Sequence, residues 1–176
     1  MKETPEQYVG RLLGYLGARD PLPILEATPA TLARLVDGWD EGRLRTRPTP
    51  EHWSMAEIAI HLAEVEIVVG YRVRCMLGGK DGDPIQAFDQ DRWSTRYDRA
   101  AVPVALAMHR GLRDANLALY RSLSPQEWAR YGMHSERGKE SVEHTVRLAA
   151  GHDLNHIAQM KALRPSPEAP PGGRTG

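Results

Sequence analysis

Between Trp53 and Gly79 the chain carries one uninterrupted helical pattern, and this pattern constrains the fold more than any other feature. Met55, Ile58, Leu62, Val65, Val69, Val73 and Met76 are spaced by threes and fours. That spacing aligns them along one side of an α-helix and cannot place them on one face of a strand. Ser54 and Glu57 have the spacing of a capping box, and Trp53 and Ile58 that of a hydrophobic staple. Gly78-Gly79 stops the helix at about Leu77. An apolar stripe of this length must be buried against other elements. No period-2 run and no Asn-Gly or Asp-Gly hairpin between alternating segments is present, since Asp81-Gly82 lies in a polar stretch. The expected partners are therefore helices.

The rest of the chain supplies them. Thr4-Pro5-Glu6-Gln7 reads as a capped start, followed by Val9, Leu12, Leu13 and Leu16, with Gly17 and Pro21 ending the segment. Thr28-Pro29 reads as a second start, with Leu32, Leu35 and Val36 as its apolar face and an end near Gly38. Trp39 to Pro50 is charged, contains two prolines and is read as a loop. Gly79 to Arg99 is a long polar connection, of the kind that crosses over a bundle or carries function. Val102 to Leu123 is helical, with Val104, Leu106, Leu112, Leu117, Leu119 and Leu123 available for burial. Ser124-Pro125 begins a short helical turn ending near Tyr131. Ser141 caps a last helix that runs to about Arg164. The expectation is an all-α, four-helix bundle with short additional helices and a long crossover loop. It occupies residues 1–164, and the Pro/Gly-rich segment 165–176 is expected to be a disordered tail.

Composition narrows the function. Lys+Arg and Asp+Glu are both 23, so the formal net charge is zero. This argues against a nucleic-acid partner, which calls for a basic excess, and against a polybasic membrane-surface protein. No window approaches the roughly 18 apolar residues of a membrane span. The start of the chain lacks the apolar stretch of a signal peptide, and a single cysteine, Cys75, forms no intramolecular disulfide. The expected location is the cytoplasm.

The histidines carry the chemistry. His152 and His156 stand i, i+4 in the last helix, which puts both imidazoles on one face within reach of one metal ion. Chance alone produces such a pair in about a quarter of sequences with this histidine content, so position has to decide. Val142, Thr145, Ala149, His152, His156, Gln159 and Leu163 form one 3-4-3-4 stripe, so both histidines occupy core positions. Buried imidazoles are costly unless each nitrogen finds a partner, and a metal is one such partner. His61 lies between Ile58 and Val65, beside its own helix's stripe, and is the natural third ligand. Three imidazoles leave a coordination position open, as catalytic sites do.

These segments resemble a known family. Trp53-Ser54 through His61-Leu62-Ala63-Glu64-Val65-Glu66, the terminal His152-Asp153-Leu154-Asn155-His156-Ile157-Ala158-Gln159, and His134-Ser135-Glu136-Arg137-Gly138 before it are similar in order and separation to motifs of the DinB-like (DinB/YfiT) superfamily. The resemblance spans roughly residues 20–163. It implies an up-down-down-up bundle, a three-histidine metal site at His61, His152 and His156, and a homodimer. It further implies a divalent transition metal, zinc or nickel, and small-molecule substrates. The implied activity is a thiol S-transferase or isomerase using a low-molecular-weight thiol such as mycothiol or bacillithiol, or a metal-dependent hydrolase. The catalytic group would then be the metal-activated thiol or water. The alternative is a non-catalytic metal-binding or ligand-binding dimeric bundle.

Other residues are weighed beside the triad. Glu64 is a candidate partner orienting an imidazole, against a solvated helix face, the reading given to Glu66 as well. Gln159 is a candidate to line the pocket. His134 is either a pocket residue or a loop histidine closing a turn, the second being favoured. His52, His109 and His144 are expected at the surface or on helix flanks, Asp153 is expected to be structural, and Cys75 is expected to be a small buried hydrophobe.

Overall fold

In the computed structural model, which describes residues 3–164, helices begin where the caps lie. α1 (Pro5–Leu16) starts behind Thr4, whose side chain accepts from the Gln7 N–H while Gln7 closes the capping box. α4 (Met55–Gly78) has the Ser54–Glu57 box, and Ser141 caps α8 (Val142–Leu163) by accepting from the His144 N–H. α6 spans Val102–Ser122, and the short α7 (Pro125–Ala129) is capped by Ser124 with Glu127.

Three expectations are corrected. α2 (Pro21–Val36) starts at Asp20, which accepts from the Leu22 N–H, so Thr28-Pro29 lies inside the helix. A mid-helix proline leaves the carbonyl four residues earlier without its N–H. Here that carbonyl is Leu25 O, and the Arg113 guanidinium of α6 donates to it at 2.8 Å. The stretch Trp39 to Pro50 contains a short helix, α3 (Glu41–Arg45), anchored by buried Leu44. Arg45 donates from it to the carbonyls of Tyr97 and Ala100 and so fastens the long connection.

That connection holds β1 (Pro84–Ile85), α5 (Gln90–Ser94) and a 3-10 turn over Tyr97–Arg99. β1 pairs parallel with β2 (Tyr131–His134), which pairs antiparallel with β3 (Gly138–Ser141). Strands of two to four residues are too short to show a period of two, so the sequence carries no sign of this small sheet. Gly138, at φ 76°, turns the β2–β3 hairpin in a backbone region that disfavours side chains.

The core fixes the direction of each long helix. Leu32 and Leu35 of α2 pack with Met55 and Ile58 of α4, Val102 of α6, and Ile157 and Met160 of α8 at one end. Leu25 packs with Val73 and Met76, Leu117 and Tyr120, and Val142 and Val146 at the other. α4 and α6 therefore run one way, and α2 and α8 the other, giving the up-down-down-up order. Two parallel neighbours demand a connection that returns along the bundle, about 30 Å for helices of this length. Residues 79–101 provide it, which places Phe88 and Tyr97 against the first turns of α4.

α1 lies outside the four and packs on α8. At Gly151 an added Cβ would run into the Leu12 carbonyl oxygen. Backbone cannot yield as a side-chain tip can, so Gly151→Ala is expected to push α1 off α8. The predicted fall in Tm is about 3–10 °C, from a cost of about 1–3 kcal/mol. An unchanged thermal melt would contradict this close approach. Among the described residues no helix is long and apolar enough to cross a membrane. The expected tail, 165–176, lies outside the described residues.

Candidate metal centre

His61 sits in the second turn of α4, and His152 and His156 stand one turn apart on the antiparallel α8. All three are buried. The Nε2 atoms of His61 and His156 each lie 3.1 Å from Nε2 of His152, and one ring nitrogen from each residue falls within 4.8 Å of the others. The structure thus brings together the three histidines singled out from the sequence.

Hydrogen bonds behind the rings set their tautomers. His156 Nδ1 is 2.8 Å from Gln159 Oε1, so the ring proton sits on Nδ1 and the Nε2 lone pair faces inward. His61 Nδ1 is 3.3 Å from the Tyr97 hydroxyl. When His61 Nδ1–H donates to the Tyr97 oxygen, its Nε2 lone pair also faces inward. His152 Nδ1 is buried with no hydrogen-bond partner. One His152 Nε2–H can satisfy only one of the two inward lone pairs. The pocket is therefore richer in lone pairs than in protons, a state that a cation resolves. Two nitrogens bound to one tetrahedral ion at about 2.0–2.1 Å lie about 3.3–3.4 Å apart, close to the two 3.1 Å separations made by His152.

Burial and the neighbouring imidazoles hold His61 well below the ordinary histidine range. Burial and the approach of His156 do the same for His152. Burial pushes His156 down to about 4, against the opposing hydrogen bond that it donates to Gln159. All three are neutral near pH 7, the form that ligates metal. The rings are enclosed by aromatics. Trp53 lies 4.8 Å from His61 between centroids and stacks on His156, and Phe88 stacks on His61.

The remaining candidates separate by geometry. Gln159 touches His156 directly. Glu64 makes no hydrogen bond to the triad, and burial raises its carboxyl above its ordinary value. His134 is buried on β2 and lines a cleft rather than touching the triad. His52 is exposed and His144 half-buried, as expected. Glu66 and His109 are buried, not at the surface, and Cys75 is exposed, not buried. Glu66 and Asp153 both bind the Arg113 guanidinium at 2.7 Å, so Asp153 is structural as expected. This network of α4, α6 and α8 lies next to His152 in the chain and holds its helix. Tyr97 was not visible from the sequence as a site residue, because it comes from a polar connection 36 positions from His61.

A cleft of about 480 Å³ opens onto His61 and His152, bounded by α1, α4, α8 and the β2–β3 hairpin. Its size suits a small molecule.

The DinB superfamily family model matches residues 24–160. The chain belongs to the DinB superfamily. Within it, the chain is 24% identical over 140 residues to a protein of Oceanobacillus iheyensis named "Putative metal-dependent hydrolase", covering 79% of this chain and 81% of that one. A Geobacillus kaustophilus protein of the same designation is 23% identical over 166 residues, covering 92% and 89%. YfiT from Bacillus subtilis, described as "a probable metal-dependent hydrolase with an unusual four-helix bundle topology", superposes with a TM-score of 0.76 at 23% identity, covering 92% of this chain and 88% of that one. A mycothiol-dependent maleylpyruvate isomerase superposes at 0.65 and 11% identity, over 80% of this DinB-superfamily chain and 59% of the isomerase.

Proposed function

We propose that this protein is a metal-dependent enzyme acting on small molecules, with His61, His152 and His156 holding one divalent transition metal, zinc or nickel. The observation that carries the reading is the convergence of three buried imidazoles, with Nε2 of His61 and Nε2 of His156 each 3.1 Å from Nε2 of His152. Three neutral imidazoles suit these ions and leave a position open toward the cleft. When bound, such an ion lowers the pKa of a coordinated water or thiol toward neutrality. The preferred nucleophile is a low-molecular-weight thiol, giving an S-transferase, and water gives a hydrolase. The names of the relatives and the thiol dependence of one structural neighbour support this pair of reactions.

The chain's own residues position the reaction. Gln159 and Tyr97 keep ring protons on Nδ1 and away from the site. Trp53 and Phe88 exclude water from the histidine side. The test is metal removal. Untagged protein is expected to contain about one metal per chain, and chelation is expected to abolish turnover of an electrophile with added thiol, or of an ester without it, until zinc or nickel is restored. Equal turnover before and after chelation would overturn the reading.

A further inference from the structure

Arg72 stands eleven residues after His61 on α4, three turns on and nearly the same face, about 16 Å along the axis. Both residues line the cleft. Arg72 is 8% exposed and makes no ion pair with a carboxylate among the described residues. Its Nε and Nη2 donate to the Gln86 carbonyl, and Nη2 also approaches His134 Nε2 at 3.4 Å. His134 Nδ1 accepts from the Glu136 backbone N–H at 3.2 Å. A neutral imidazole that accepts at Nδ1 carries its proton on Nε2. The 3.4 Å contact therefore joins two donors, Arg72 Nη2–H and His134 Nε2–H, which converge on one place and cannot satisfy each other.

The surroundings do not supply the missing acceptor. Arg11 is paired with Glu3 at 2.8 Å, and Arg137 is paired with Glu140. Glu136 is exposed. Burial and the nearby Arg137 depress the Arg72 pKa, so the guanidinium sits where added negative charge is favoured. Between the two ends the cleft is walled by Val65 and Val68 of α4 and Leu148 of α8. Among the described residues Arg72 is the arginine of the cleft without a carboxylate partner, and its one positive charge and planar fork are matched by a carboxylate, whereas a phosphate dianion would bring a second negative charge.

We infer that Arg72 and His134 form a carboxylate-binding subsite at the far end of the cleft, which selects substrates with an anionic tail and an apolar spacer reaching toward the histidines. The identification of the ligand as the substrate rests on the proposed function, whereas the subsite itself is tested on metal-free protein. Chelated protein is titrated with hexanoate, hexanamide and inorganic phosphate, following the His134 ring signals by NMR and the heat by calorimetry. Saturable hexanoate binding is expected, with no saturation by hexanamide and weaker binding of phosphate. Arg72→Gln is expected to raise the hexanoate Kd about tenfold or more. Arg72→Lys, which keeps the charge but loses the fork, should fall between, and keeps the test valid if the glutamine variant fails to fold. Equal hexanoate affinity in wild type, Arg72→Lys and His134→Phe overturns the subsite, and so does hexanamide binding as well as hexanoate. Tighter binding of phosphate overturns the carboxylate assignment. Hexanoate binding through Arg72 in a protein that takes up no metal would sink the proposed function and leave the subsite standing.

Discussion

His156→Ala and His61→Ala are each expected to abolish stoichiometric metal binding while the bundle remains folded. A three-imidazole site that loses one ligand keeps two, and the remaining rings have no other donor close by among the described residues. Loss of a partner behind a ligand already costs about 10–100-fold in affinity, so loss of a ligand should exceed about 100-fold. Gln159→Leu is the graded companion. It removes the acceptor at 2.8 Å from His156 Nδ1 and should weaken binding by about 10–100-fold without moving the backbone. Stability reports the same event. Metal at about 100 times its Kd stabilises the folded state by about 2.7 kcal/mol, which corresponds to about 5–10 °C in Tm for a chain of this size. Wild type should show that rise with zinc or nickel and the alanine variants should not. Elemental analysis of untagged protein alongside thermal melts checks both. An alanine variant that still holds one metal per chain would remove His61, His152 and His156 as the ligand set.

Arg113→Met should be the most damaging single substitution away from the histidines. Arg113 is 1% exposed and holds two buried carboxylates, Glu66 and Asp153, as well as the Leu25 carbonyl freed by Pro29. The two carboxylates hold the guanidinium firmly protonated. Methionine fills much of the same space and leaves Asp153 and the Leu25 carbonyl with no donor and Glu66 with only the Asn116 amide. Removing one partner from a buried ion network costs about 3–5 kcal/mol, whereas replacing a whole network by apolar or neutral groups can be nearly neutral. The expected fall in Tm is about 6–20 °C. Adding Glu66→Gln and Asp153→Asn to Arg113→Met should recover part of the loss. If the single variant melts with wild type, the network is not a stabilising joint of the bundle. If the triple variant is worse than the single one, uncompensated charge is not the cause.

The two outcomes test different layers of the molecule. The histidines gain from being close together only if a cation is present. The Arg113 network keeps α4, α6 and α8 in register whether or not a cation is bound. Asp153 belongs to the second and His152 to the first, one residue apart on the same helix.

Much of this was readable before any coordinates. The boxes at Thr4–Gln7, Ser54–Glu57 and Ser124–Glu127 and the cap at Ser141 are local, needing residues only three positions apart, so a linear sequence displays them. The His152–His156 pair is local in the same sense. His61 was legible because its place beside an apolar stripe forces it inward. The face of α6 was harder to read. Its hydrophobic residues suggested Val104 for burial, yet Val104 is 68% exposed and the buried face carries His109, Arg113 and Asn116. Hydrophobicity marks a buried face only when the partners are apolar, and here the partners are Glu66 and Asp153 on other helices. The start of α2 was misplaced for the same reason, since Pro29 is tolerated inside the helix only because Arg113, 84 positions on, takes the carbonyl that proline orphans.

The sequence by itself determined the helices α1, α4, α6 and α8, the caps of α1, α4 and α8, the inward stripe of each of α4 and α8, and the three imidazoles those stripes carry. Only the tertiary structure decided that Tyr97 stands behind His61, that Arg113 joins three helices, and that Arg72 and His134 meet as two donors. Caps and stripes are set by contacts within one or two helical turns, where sequence distance and spatial distance agree. Hydrogen-bond partners across the bundle are set by packing, where the two distances no longer correspond.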